Sequence, residues 1–190
     1  MNEDKLAQRR TQLARKIITA RIYLLITILV TVVDIVGMLT GIQWLILPYG
    51  LYMPQFALSL GFDFGITETA VRPGAISLSA AAVLGFMAFY IIALFMIKKS
   101  SGWASALYCM FVLDTVVLAV SLLIAFLPTF APLIENVIHT LIVNLINLAI
   151  HIYAAVWFRM AKTAARGLTI LPEKEIDDGD PYEEFRNKEE

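Results

Sequence analysis

The chain has 190 residues, 59% of them apolar, with 15 basic and 16 acidic side chains and a formal net charge of −1. Its mean hydropathy is +0.74. Soluble domains run nearer 45–50% apolar, and a chain of this length could not hide the excess from water. The composition excludes a soluble globular enzyme, and a near-neutral charge gives no basic footprint for nucleic acid. Lipid is the remaining solvent.

Residues 1–16 are basic, and within KLAQRRTQLARK (5–16) Leu6 and Leu13 share one helical face. Such a segment is expected to form an amphipathic helix on an anionic inner leaflet before turning into the membrane, or simply to set orientation. Four runs of roughly 20 mainly apolar residues follow, the length needed to cross a bilayer: about 17–39, 76–97, 103–127 and 137–158. The first is too long for a cleavable signal, and no small-residue cleavage pattern follows it.

The connection between the first two runs is long and begins with GIQWLILPYGLYMPQFALSLGF (41–62). It is apolar enough to enter lipid, yet Pro48, Gly50, Pro54 and Gly61 interrupt a continuous helix. A full crossing there would put Lys98 and Lys99 on the wrong side. A broken, re-entrant or interfacial segment on the outer face is therefore expected, packed over the outer end of the bundle. Trp44, Tyr49, Tyr52, Pro54 and Phe56 would form an aromatic outer cap or lid.

The remaining links, IKKSSGW and LPTFAP, are short and make antiparallel hairpins. With four crossings, fourteen of the fifteen basic residues fall on one side, Arg72 being the exception. The positive-inside rule makes that side the cytoplasm. The expected protein is thus an all-α, multi-pass plasma-membrane protein of four transmembrane helices with both termini cytoplasmic. Residues 159–190 form its cytoplasmic tail. From about 171 that tail is acidic and is expected to be disordered.

Polar groups inside the apolar runs are few and patterned. On the last run Asn136, Thr140, Asn144, Asn147 and His151 fall within an arc of about 80°, with His139 nearby. On the first, Thr27, Thr31 and Asp34 share a face. The third carries Asp114 near its middle and Ser121 seven residues on. An ionised Asp at the centre of a membrane helix costs about 2.5–3.5 kcal/mol on insertion scales and is seldom left unpaired. Depth suggests two layers: Asp34 with His139 toward the outside, and Asp114 with Asn147 or His151 further in. Such a seam is either a pathway that relays protons or coordinates a cation, or a static network that fixes helix register. On the second run Ser77, Ala81, Gly85 and Ala88 make a small-residue stripe on which another helix is expected to approach closely.

Catalysis has little support. No H-E-x-x-H, G-x-S-x-G or phosphate-binding glycine loop is present. No residues have metal-ligand spacing, so neither a metal nor a cofactor is expected. The single cysteine, Cys109, excludes dithiol chemistry and reads as a small apolar helix residue.

Three pieces, LPYGLYMPQFALSLG, GWASALYCMFVLDTVV and ENVIHTLI, resemble a group of uncharacterised four-span membrane proteins of Gram-positive bacteria. The resemblance places Pro54, Trp103, Asp114 and His139 at shared positions and implies the layout, not an activity. Three readings of function stay open. The first is a small transport-type protein or accessory membrane subunit. The second is a structural or interaction protein, forming homo-oligomers or serving a partner membrane subunit. The third is a substrate-capturing component with 41–62 as its lid, which resembles the vitamin-binding subunits of energy-coupling transporters in size and in that loop alone.

Overall fold

In the computed structural model the described residues are 3–42, 47, 49–66, 71–125 and 137–171, with side chains described over 5–42, 47, 49–66, 71–124 and 141–171. Among them are five helices and no strand: α1 (Glu3–Thr40), α2 (Tyr52–Gly65), α3 (Pro73–Met96), α4 (Ser101–Ala125) and α5 (Val137–Ile170). Four of these, all but α2, contain stretches long and apolar enough to cross a membrane. The described residues are helical throughout their elements, and four helices of this length and hydropathy are compatible with a multi-pass integral membrane protein.

The basic N-terminal segment and the first apolar run are one helix. α1 continues for 38 residues, about 57 Å at about 1.5 Å per residue, with no break near residue 16. The reason is local: its interior holds no proline, and Ala, Leu, Arg, Lys and Gln around the junction are all good helix formers.

α1 and α5 pack antiparallel. Leu13 lies against Gly167 at one end, while Tyr23 stacks on Trp157 further along. Close approach is possible because Ala20, Ala154, Ala161, Ala164 and Ala165 are buried there. The start of α1 and the end of α5 therefore lie together. α4 also packs along α5, with Phe111 against Phe158 at 4.6 Å between ring centroids. Arg21 donates from Nε to the Leu94 carbonyl at 3.0 Å, tying α1 to the end of α3.

α2 and α3 form an antiparallel helical hairpin, closed by a β-bridge between Ile66 and Val71 and by Arg72 N donating to Gly65 O at 2.7 Å. Ser79 donates to the Ala57 carbonyl across the pair. Gly61 is required there, since a Cβ would collide with the Ser79 side chain.

The expected packing stripe on α3 is corrected. Ser77, Ala81, Gly85 and Ala88 are exposed, and a Cβ added at Gly85 would meet nothing. The inward face carries Ser79, Val83, Met87, Tyr90 and Ala93 instead. In lipid a small apolar residue is stable on either face, so its size does not reveal which way it turns. Outside the bundle lie large apolar side chains, among them Leu78 (74% exposed), Leu84 (69%) and Leu123 (68%). A soluble monomer would not leave so continuous an apolar surface open.

Candidate functional site

Buried polar side chains converge on the start of α2. A helix start exposes backbone N–H groups that need acceptors, and this one has no local cap: Leu51 is the N-cap residue and no acid stands in the first turn. The acceptors come from other helices. Asp114, near the middle of α4, receives Tyr52 N on Oδ2 at 2.9 Å and Met53 N on Oδ1 at 2.7 Å. The third helical residue is Pro54, which has no N–H to satisfy. Leu51 N donates to Thr31 Oγ1 of α1 at 2.7 Å, and that hydroxyl itself donates to Thr27 O at 2.7 Å. The helix start is fully satisfied, and its positive end faces a carboxylate.

Asp114 has a third partner. His151 Nε2 of α5 lies 2.9 Å from Oδ2, with both side chains buried, at 0% and 1% exposure. The other ring nitrogen, Nδ1, is 3.0 Å from the Asn147 carbonyl. A carbonyl only accepts, so Nδ1 carries a hydrogen, which leaves Nε2 to share whatever proton lies between it and Asp114. Phe111 stacks on the imidazole at 5.1 Å and 15°, closing that side with apolar surface.

Asp34 of α1 braces the same segment from a second position. It accepts Leu47 N on Oδ1 at 2.7 Å and Gln55 Nε2 on Oδ2 at 2.6 Å. Asp34 is wholly buried, and its partners are neutral amides.

Two buried polar atoms among the described residues have no hydrogen-bond partner: Asn147 Oδ1 and the Tyr90 hydroxyl. Asn147 sits one helical turn from His151 on the same face of α5. Tyr90 lies on the inward face of α3 and is wholly buried.

Of the residues expected in the inner layer, Asp114, His151 and Asn147 are brought together, with Asn147 contributing its backbone carbonyl. Asn144 is half-buried on the same helix. For the outer layer, Asp34 is engaged by the α2 segment. The side chains of His139 and Thr140 lie outside the described residues, as do Asn136, Trp44 and the tail from 172. Pro54 is buried, Tyr49 and Tyr52 are half-buried and Phe56 is exposed. Aromatic character therefore did not mark a uniformly outward face.

Gln55, Tyr90 and the backbone donors of residues 47, 51, 52 and 53 were not foreseen. One signal for them is readable in retrospect: a helix opening L-Y-M-P with no capping residue needs acceptors from elsewhere.

Among the described residues no cluster of three or more metal-ligating side chains is found. No family profile, curated protein or solved structure matches this chain.

Proposed function

We propose that this is a small transport-type protein of the bacterial plasma membrane, with both termini cytoplasmic and α2 as a re-entrant half-helix whose tip reaches the bilayer midplane. The observation that carries the reading is the helix start held by Asp114 at the middle of α4, itself paired with His151 of α5. Irregular backbone at membrane depth is tolerated only where protein covers it or it lines a cavity. Interrupted helices ending near the midplane are a recurrent way to build the substrate and ion sites of transporters. An ionisable pair at that depth is expensive and marks function more often than packing.

Reconstituted full-length protein is expected to support a transmembrane flux that empty liposomes lack, and Asp114→Asn to abolish it while the helical circular dichroism stays unchanged. Vesicles no leakier than empty ones across H⁺, Na⁺, K⁺ and Cl⁻ gradients would remove the reading. Labelling of Lys5→Cys and Lys188→Cys from the cytoplasmic side alone is the matching test of topology.

A second reading, a static seam in a structural or interaction protein, is favoured by one observation. Both oxygens of Asp114 and of Asp34 have donors, and both residues are fully buried. Substrate capture by an outer lid has less support, because the Tyr52 backbone and Pro54 are engaged inside the bundle.

A further inference from the structure

We infer that the species this protein couples to is the proton, loaded at the Asp114–His151 pair, and that its uptake unfastens α2. The inference rests on the transport-type reading and names the ion for it.

The donor set decides against an alkali or divalent cation. Hard cations are held by several converging oxygens. Among the described residues Asp114 is the carboxylate that accepts the N–H groups at the tip of α2, Asp34 being engaged by the Gln55 amide, and the partners of Asp114 there are all nitrogens: Tyr52 N, Met53 N and His151 Nε2. Their hydrogens, together with the positive end of α2, make a seat for negative charge and repel a metal ion. A proton is the cation that can bind Asp114 without needing a coordination shell.

Proton counting gives the consequence. With Nδ1–H committed to the Asn147 carbonyl, one proton lies between His151 Nε2 and Asp114 Oδ2, and the pair is neutral overall. With that proton on the imidazole, the carboxylate accepts three N–H bonds at once. A second proton, taken from water, makes Asp114 a carboxylic acid opposite an imidazolium. Its new O–H finds only donors at Tyr52, Met53 and His151, so it has to turn toward an acceptor. The two buried atoms left without partners, the Tyr90 hydroxyl and Asn147 Oδ1, can accept it. As the carboxyl turns and loses its charge, α2 loses the anion at its positive end. Release of the proton restores the clasp.

The titratable residues beside Asp114 are His151 from α5 and Tyr52 from α2, with Tyr90 on the inward face of α3. On α1, Asp34 holds the same segment through Leu47 and Gln55, and among the described residues no imidazole is its partner.

The test uses the full chain in lipid nanodiscs, followed by infrared difference spectroscopy between about pH 8 and about pH 3, a span that covers the ordinary imidazole and carboxyl ranges. A carbonyl stretch of a protonated carboxylic acid is expected on acidification, present in Asp34→Asn and absent in Asp114→Asn. Tyr90→Phe should shift its midpoint by about one pH unit, a tenfold change in proton affinity. In parallel, amide exchange at Tyr52 and Met53, corrected for intrinsic pH dependence, should rise about tenfold or more at the acid end and lose this response in His151→Gln. A band that persists in Asp114→Asn, or amides indifferent to pH, overturns the inference. In proteoliposomes, flux that continues when Na⁺ is replaced by an impermeant organic cation supports it. Flux that requires Na⁺ overturns it and leaves the transport reading standing. Vesicles that move no ion while the band is present overturn the transport reading itself, and the coupling role with it.

Discussion

Asp34 and Asp114 are both wholly buried, both hold the segment between α1 and α3, and both accept backbone N–H groups from it. Among the described residues they differ in one partner. Asp114 has an imidazole 2.9 Å away, whereas Asp34 has the Gln55 amide at 2.6 Å. An amide fixes geometry and cannot exchange a proton at physiological pH, while an imidazole does both. The same architectural task is thus done once as a plain brace and once as a brace that can be switched. Burial does not separate the two acids; the chemistry of one neighbour does.

The sharpest way to break this comparison is to remove the switched brace outright. Asp114→Leu leaves two helix-start N–H groups and His151 Nε2 without partners. The expected loss is about 3–5 kcal/mol, the range for breaking a buried ion pair from one side, read by denaturant unfolding in detergent micelles. A loss below about 1 kcal/mol would show that α2 is held by apolar packing alone.

Asp34→Leu removes only neutral partners and should cost less, about 1–3 kcal/mol, the usual penalty for a stranded buried donor. If the two losses were equal, the imidazole would contribute nothing to the clasp.

Gly50→Ala approaches the plain brace from the other side. A Cβ at that position runs into the Asp34 carboxylate and the Gln55 amide, so the bond between them must open. About 1–3 kcal/mol of destabilisation is expected from this overpacking, with faster amide exchange at Leu47 and little change at Tyr52. Equal acceleration at both amides would mean that the braces act as one unit.

The smallest effect is expected from Tyr90→Phe. Its hydroxyl is buried without a partner, so deleting it should leave stability within about 0.5 kcal/mol or raise it slightly. A clear destabilisation would reveal a resting bond to Asp114, and the second-proton acceptor would have to be Asn147.

Much of the outline was readable without coordinates. Four apolar runs announced four long helices, because the length of a helix through lipid follows directly from bilayer thickness. Asp114 opposite His151 was one of two expected pairings, and it emerged because residue count along helices translates into depth. The small-residue stripe on α3 failed for the opposite reason: periodicity locates a face but not the direction it turns, and in lipid both directions satisfy an alanine. Within 41–62, Pro54 and Gly61 were expected to interrupt a helix, yet α2 runs through both, because a proline in the first turn gives up no helical hydrogen bond.

What the chain order determined by itself is therefore the set of hydrophobic rods and the rarity of charge within them, since transfer from water is a property of each residue. Only the folded arrangement decided which donor meets which acid. The α2 start borrows its cap from helices 20 and some 60 positions away in the sequence, and a hydrogen bond forms between atoms that are near in space, whatever their separation along the backbone.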